Sequence, residues 1–401
     1  MVPRDALERF LEGAGGLLGR PERRASFSLY VLGLLGEGER KSAEPIAVRA
    51  AGGDPVLSQR YHDRLCHFLN SSRWDDRALR AFAAHFALAE LPAGEPGAWL
   101  VDDVCFPKQG EHSPGVQRQY SRAAGRQLNC QIAVGLTLVT RSQRLPVELP
   151  VGLDLFLPEA WAFDERRRKR AKIPEGLRFR GTSEIALDLL ADAVRAGLPA
   201  APVVAGVAYG SDCTFRDGVA RAGLPYLLEI DADTGLVCPE LGGARMPARE
   251  IARALPAHAF GRVPGADAGD ASAPSRFARV RVAPAQPGQS EPREQELLVE
   301  WPEGRGAPAR YALSTLPPET PIEELVRLAR ARGRSRRPHD ELRRGLGLDH
   351  FEGRTYVGWQ HHVSAVLACY ALVVACRGRA QVPAASEPPP APSDEAVETA
   401  A

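Results

Sequence analysis

Two adjacent acids, Asp102 and Asp103, stand inside the apolar run Trp99-Leu100-Val101-Asp102-Asp103-Val104. Carboxylate oxygens are what a hard cation such as Mg²⁺ takes. Side chains on a strand alternate between faces, so a regular strand turns only one of these acids to any one site. The plainer use of such a pair is to cap a strand end. Cations are the second chemical feature. Arg166, Arg167, Arg168, Lys169, Arg170 and Lys172 crowd one short segment; Arg327, Arg330, Arg332, Arg334, Arg336, Arg337, Arg343 and Arg344 crowd another. Contacts from such clusters to phosphates release counterions and supply most nonspecific DNA affinity. Solvated surface charge is the bland reading of both.

The remaining chemistry is thin. Seven cysteines are scattered with no CxxC pair and no Cys/His finger spacing, which predicts buried free thiols rather than a zinc site. Trp359, His361 and His362 open a largely apolar stretch, where packing and helix-start roles are the expectation. Lys+Arg number 51 against 50 Asp+Glu, so the net charge of +1 excludes a globally basic, DNA-coating protein and leaves the local clusters to carry any DNA argument. Apart from Lys41, Lys108, Lys169 and Lys172 the positive residues are all arginine. A guanidinium forks onto phosphate oxygens, but a GC-rich genome produces the same bias.

The elements that must position these groups follow from length and periodicity. A chain of 401 residues with 44% hydrophobic side chains supports two or three packed units. No run of roughly 18 apolar residues occurs, and the opening MVPRDALERFLEGAGG carries acids and no cleavable signal pattern. These features predict a cytoplasmic protein. Residues 4–92 read as helical, with Pro21 suited to a first turn. From Ala98 the pattern changes to three strands, WLVDDVCF, CQIAVGLTLV and LPVELPVGLDLFLP, then the charged loop DERRRKRAKIPEG. A helix from about Ser183 to Ala196, the strand PVVAGVAY, a short helix near Thr214 to Ala222 and the strand YLLEI complete the series. Three strands, helix, strand, helix, strand is the order of an RNase H-like α/β fold. Residues 231–319 are rich in Gly and Pro, with strand-like pieces FARVRV, ELLVEW and RYALST and a linker composition at VPGADAGDASAPS. Two helical stretches and an apolar helix from about Tyr356 to Val374 follow, and then a tail without large hydrophobes that predicts disorder.

Three long blocks carry a resemblance: WLVDDVCFPKQGEHSPGVQRQYSRAAGRQLNCQIAVGL at 99–135, LFLPEAWAFDERRRKRAKIP at 155–174 and LGLDHFEGRTYVGWQHHV at 346–363. They resemble a branch of bacterial insertion-sequence DDE transposases, in which the same blocks occur in the same order, and the likeness runs from about Arg20 to Arg377. It implies a mixed sheet flanked by helices. By this reading residues 1–95 form an all-helical DNA-binding region, 96–230 the first part of an RNase H-like core, 231–319 a β-rich insertion, 320–378 the helices completing the core, and 379–401 a disordered tail. The helical region shows no convincing helix-turn-helix signature.

The resemblance also implies chemistry. Such enzymes cut and rejoin phosphodiester bonds with two divalent cations, Mg²⁺ or Mn²⁺, held by three converging acids. The first acid is on the first strand, where the family's pattern favours Asp103 over Asp102. The second should end the fourth strand, in a segment resembling ADAGYG; here the stretch is Ala205-Gly206-Val207-Ala208-Tyr209-Gly210, so Gly206 replaces it. Asp212 lies past a turn. The third, a Glu on a late helix in a Tyr-Arg-Glu-Lys pattern, aligns with Arg336, with Ala329, Arg332 and Arg343 at the other positions. Unit charges 4 Å apart in an effective dielectric near 20 interact by about 4 kcal/mol, so a dication facing Arg336 is opposed by about twice that. Pro338 should break the helix there, and Glu341, five residues along, faces about 140° away.

The expectation is therefore double-stranded DNA as partner, transposon ends above all, with a homodimer on DNA, a nucleoid-associated location and catalysis lost. Arg166, Arg167, Arg168, Lys169, Arg170, Lys172, Arg332, Arg336, Arg337 and Arg343 are the DNA-binding candidates. An active metal-dependent transposase using other acids, a domesticated DNA-binding regulator and a decaying copy stay open.

Overall fold

Helix ends are set by short polar side chains where the sequence supplies them. Asp54 accepts from the amides of Val56 and Leu57 and Asp75 from those of Arg77 and Ala78, which satisfies free donors at the starts of α4 (Pro55–Asn70) and α5 (Asp76–Glu90). Pro21 and Pro55 take first-turn positions, where no amide donor is needed. With α1 (Arg4–Leu18), α2 (Pro21–Leu35) and α3 (Ala43–Ala50) these helices bury Phe10, Phe27 and Phe68 in a common core. The computed structural model describes residues 2–91, 96–122, 124–141, 146–264, 274–284, 294–332 and 336–381, with the side chains of residues 336, 337, 380 and 381 excepted.

The sheet follows the order read from the sequence, with one addition. β1 (Pro96–Pro107), β3 (Arg126–Thr140) and β4 (Glu148–Leu155) form an antiparallel meander, and β2 (Gln117–Ser121) is a short extra strand on β3. After α6 (Glu159–Ala162), α7 (Glu165–Arg170) and α8 (Thr182–Arg195), β5 (Val203–Ala205) pairs parallel with β1. α9 (Val207–Gly210) and α10 (Cys213–Arg221) lead to β6 (Tyr226–Ile230), parallel to β5. The spatial order β4-β3-β1-β5-β6, antiparallel then parallel, is the RNase H-like α/β architecture.

The sheet does not end there. β12 (Arg310–Ser314) pairs antiparallel with β6, and β11 (Gln295–Pro302) and β10 (Ser275–Pro284) continue outward, so the expected strands RYALST, ELLVEW and FARVRV extend the same sheet. β7 (Gly235–Val237), β8 (Arg245–Pro247), α11 (Ala248–Ala254) and β9 (Gly261–Arg262) complete this region. Most of the expected linker, residues 265–273, and the tail beyond Gln381 lie outside the described residues.

Among the described residues three helices follow the last strand: α12 (Ile322–Ala331), α13 (Arg336–Leu346) and α14 (Tyr356–Gln381). α12 buries Leu325, Val326 and Leu328 against Leu100, Val204 and Leu227. α14 is apolar and long enough to cross a membrane, but 89% of its apolar window is buried inside the protein, so it is a core helix. His361 stacks on Trp74 with ring centroids 3.9 Å apart, and His362 accepts from the Tyr30 hydroxyl at 2.7 Å, which gives both histidines the packing role expected of them.

Four local expectations are corrected. The charged segment is not a loop: Asp164 accepts from the Arg167 amide and starts α7. The strand PVVAGVAY is three residues long, because Gly206 leaves the sheet and α9 begins. Pro338 does not break a continuous helix at Arg336; α12 ends at Ala331, α13 starts at Arg336, and the proline sits in the first turn, where the missing donor costs nothing. All seven cysteines are free, but Cys213 is exposed and Cys66 and Cys376 are half-buried.

Candidate active site and basic surface

β1 sends its two acids to opposite faces of the sheet. Asp102 lies opposite Gly135 of β3, and a Cβ built on Gly135 would meet Nε2 of His339 and Cγ2 of Val104, which places Asp102 on the face covered by α13. Asp103 takes the other face. There the Tyr209 hydroxyl donates to Oδ1 at 2.5 Å and the Arg122 guanidinium to Oδ2 at 2.8 Å. Both oxygens of the acid that the family pattern favours are thus engaged by the protein itself. Burial raises the carboxyl's pKa above its ordinary value, an effect opposed by the Tyr209 hydrogen bond and the Arg122 charge. Burial, and then the neighbouring Asp103, likewise push the Tyr209 phenol well up. Tyr209 and Arg122 were not legible as site residues: one sits in the segment after β5, 106 positions from Asp103, and the other follows β2, 19 positions on.

Gly206 ends β5, where the second acid is expected. Its φ of −84° and ψ of 178° are open to any residue, so backbone conformation does not require glycine. What a larger residue would meet is the end of a flexible side chain: a Cβ at position 206 would stand 2.3 Å from Nη2 and 2.4 Å from Cζ of Arg332, so the guanidinium would have to shift. That guanidinium, at the C-terminal end of α12, is held by Glu229 of β6 in an ion pair of 2.5 Å. An arginine therefore occupies the space beside Gly206, where the resemblance puts the second acid. Asp212 is spent elsewhere, accepting from the Thr214 amide to start α10.

Arg336 and Arg337 open α13, but their side chains lie outside the described residues. One turn on, α13 presents His339, Asp340 and Arg343 to a cleft of about 450 Å³ that is also lined by Asp102, Asp103, Arg122, Gly206 and Arg332. The Arg343 guanidinium donates to the Cys105 carbonyl and lies 5.6 Å from the Phe106 ring centroid. Asp340 is the acid that spacing alone could have found, since four residues from Arg336 is close to one helical turn. Glu341 points away, as expected, and pairs with Arg377 at 2.8 Å.

The comparison with protein families falls on this architecture. Residues 15–288 match the DDE superfamily endonuclease family. The chain belongs to that family. No curated protein matches it. The match includes the blocks at 99–135 and 155–174 and stops short of α12 and α13, the segment that bears Arg332 and Arg336. DDE superfamily nucleases generally use divalent metals and act on DNA, so the donor set must be weighed against that chemistry. It does not fit. Among the described residues no three His, Cys, Asp or Glu side chains gather closely enough to hold a cation, Gly206 contributes no ligand, and guanidinium groups point where dications need oxygens.

The first basic cluster occupies α7. Arg168 is turned inward, its guanidinium donating to the carbonyls of Ala162, Pro174, Glu175 and Leu177 at 2.7 to 3.3 Å, so it braces its own segment. Arg166, Arg167, Lys169 and Arg170 are exposed. Lys172, at a φ of 50°, turns the chain out of the helix.

Proposed function

We propose that this member of the DDE superfamily endonuclease family binds double-stranded DNA and does not cut it. The observation that carries this reading is the Arg332 guanidinium lodged against Gly206 and paired with Glu229. A lost ligand weakens a metal site; an arginine in the ligand's place opposes one, although its pairing with Glu229 brings the repulsion well below the roughly 8 kcal/mol of a lone unit charge 4 Å from a dication at an effective dielectric near 20. The family supplies DNA as the substrate, and Arg166, Arg167, Lys169, Arg170, Lys172, Arg336 and Arg337 are the candidate backbone contacts; Arg168, Arg332 and Arg343, expected among them, are engaged by partners within the protein. Binding as a homodimer to transposon ends, a nucleoid location and the division into a DNA-binding region, a split core and an insertion belong to the same proposal.

A second reading has one observation in its favour: Asp102, Asp103 and Asp340 line one cleft. In it, Asp340 stands in for the lost Glu and the protein remains a metal-dependent nuclease. The experiment is the same for both. Binding of a labelled duplex is measured from about 50 to 200 mM salt, and supercoiled plasmid is incubated with the protein in Mg²⁺ or Mn²⁺. Salt-dependent binding without nicking is expected. Metal-dependent nicking abolished by Asp340→Asn establishes the second reading instead, and DNA affinity indifferent to salt overturns the first.

A further inference from the structure

α7 is six residues long and buries none of its side chains, yet it is held from several sides. The Arg168 guanidinium binds four carbonyls. The Ile173 amide donates back to the Arg168 carbonyl at 3.0 Å, and the Ala171 carbonyl accepts from the Tyr356 amide at 2.7 Å, which ties the segment to the start of α14. On its other side Trp161 of α6 is buried and donates from Nε1 to the Val116 carbonyl at 2.8 Å, which fixes the loop before β2. Fixing a run of like charges is unfavourable on its own, so a short helix of cations held this firmly has a use for them.

Arg167 and Arg170 are three residues apart and share a face of α7. They line, with Glu111 and His112 of the β1–β2 loop and with Trp161, a pocket of about 150 Å³. The Arg167 guanidinium lies over the Trp161 ring, 5.2 Å from its centroid, and its ion pair with Asp164 is long, at 3.7 Å. Arg170 has no acid partner among the described residues. Glu111, an exposed side chain, is the one acid in the lining.

We propose that this pocket anchors one phosphate of the DNA backbone, gripped by Arg167 and Arg170 with His112 also in the lining; this rests on the DNA-binding reading above. The size is right: a water's share of liquid volume is about 30 Å³, so the space takes a tetrahedral oxyanion and a little solvent. The chemistry is right as well. Two guanidiniums give forked, charge-assisted donors suited to phosphate oxygens. A nucleobase does not suit the site, because the Trp161 face on which it would stack is already covered by Arg167. The aromatic ring pre-orients that guanidinium, and the bracing by Arg168 means that little order has to be gained on binding.

Two measurements on the full chain test the assignment. In the first, inorganic phosphate is titrated while the Trp161 indole N–H resonance, assigned with Trp161→Phe, is followed. A saturating shift in the wild type that is absent from Arg167→Ala/Arg170→Ala is expected; no shift, or one that persists in the double variant, overturns the pocket. Arg170→Ala alone, at an exposed side chain, should give a weaker shift and guards against misfolding of the double variant. In the second, duplex binding is measured against salt. Losing one phosphate contact lowers the slope of log K on log salt by about 0.9 and weakens binding about ten-fold, while Arg221→Ala, an exposed control elsewhere, leaves the slope unchanged. A phosphate-induced shift with no change in the DNA slope overturns the backbone role. If the wild type shows no salt-dependent DNA affinity, the DNA reading fails and the phosphate titration alone decides the pocket.

Discussion

Arg332 and Gly206 exclude one another's alternatives: the guanidinium occupies the volume into which any side chain at position 206 would grow, its Nη2 standing 2.3 Å from where a Cβ would be. The two sites are therefore coupled, although 126 positions separate them in the chain, the difference of 332 and 206. Gly206→Ala should cost about 1 kcal/mol of stability, the low end for overpacking, because the Arg332 guanidinium must shift away from Glu229. Arg332→Ala alone should cost about 3 kcal/mol, because it leaves the largely buried Glu229 without its partner. The double variant should lose about 1 kcal/mol less than the sum, since the alanine at 206 fits once the guanidinium is gone. Urea unfolding of all four proteins measures the coupling. Additivity within about 0.5 kcal/mol would show that the two positions do not contend for space.

Divalent cations should leave the protein's stability unchanged. A ligand at about 100 times its dissociation constant raises folding stability by about 2.7 kcal/mol, which is several degrees of thermal midpoint in a domain of this size. With Asp103 engaged by Tyr209 and Arg122, and Arg332 beside Gly206, no such shift is expected in about 10 mM Mg²⁺ or Mn²⁺. A clear stabilisation by Mn²⁺ that Asp103→Asn or Asp340→Asn removes would mean that the acids do converge on a cation.

Much of the scaffold could be read from the sequence because it rests on local rules. Short apolar and β-branched runs gave β1, β3 and β4, and apolar residues at three- and four-residue spacing gave α5. The glycine at position 206, where the resemblance puts the second acid, can be read from the sequence as well. Which side chain lies beside it cannot: Arg332 reaches Gly206 through the packing of α12 on the sheet, and sequence spacing carries no such information. The same holds for Arg122 and Tyr209, which meet at Asp103 from separate elements. Asp340 was within reach of helical periodicity, since it follows Arg336 by about one turn, whereas its neighbour Glu341 faces away. Within α7, composition shows six cations in seven positions between Arg166 and Lys172, but not that Arg168 faces inward.

A second site of consequence for stability is the buried ion cluster at Arg180. Its guanidinium meets Asp154 of β4 at 3.3 Å and Asp188 of α8 at 2.7 Å, with Arg180 and Asp154 both less than a tenth exposed. Gln360 of α14 also donates to Asp154, so one cluster joins both faces' helices to the sheet. Arg180→Ala leaves Asp154 buried beside a lone amide donor and should cost about 3 to 5 kcal/mol. Asp188→Ala removes only the half-exposed partner and should cost about 1 kcal/mol or less. Chemical denaturation of the two variants separates the cases, and equal losses would contradict a buried origin for the larger one.

His362 should make the fold sensitive to mild acid. Its Nε2 lies 3.1 Å from the Leu348 carbonyl and so carries the proton, which leaves Nδ1 to accept from the Tyr30 hydroxyl at 2.7 Å; the ring is neutral. Burial lowers its pKa to about 4 from the ordinary value of 6.5. The unfolded chain therefore binds a proton at this residue between about pH 6.5 and 4 that the folded chain refuses, and stability must rise with pH across that window. The contribution is intact above the unfolded pKa and falls away as pH drops toward the folded one, by about 3 kcal/mol in all at 1.36 kcal/mol per pKa unit. His350 and His361, whose pKa values burial also lowers, act in the same direction. Replacing His362 with Gln removes one of these protons, so the dependence of unfolding free energy on pH between about 6.5 and 4.5 should be shallower by up to one proton. Urea midpoints at four pH values, corrected by their slopes, provide the comparison; parallel pH profiles for the two proteins would mean that His362 is protonated in the folded state.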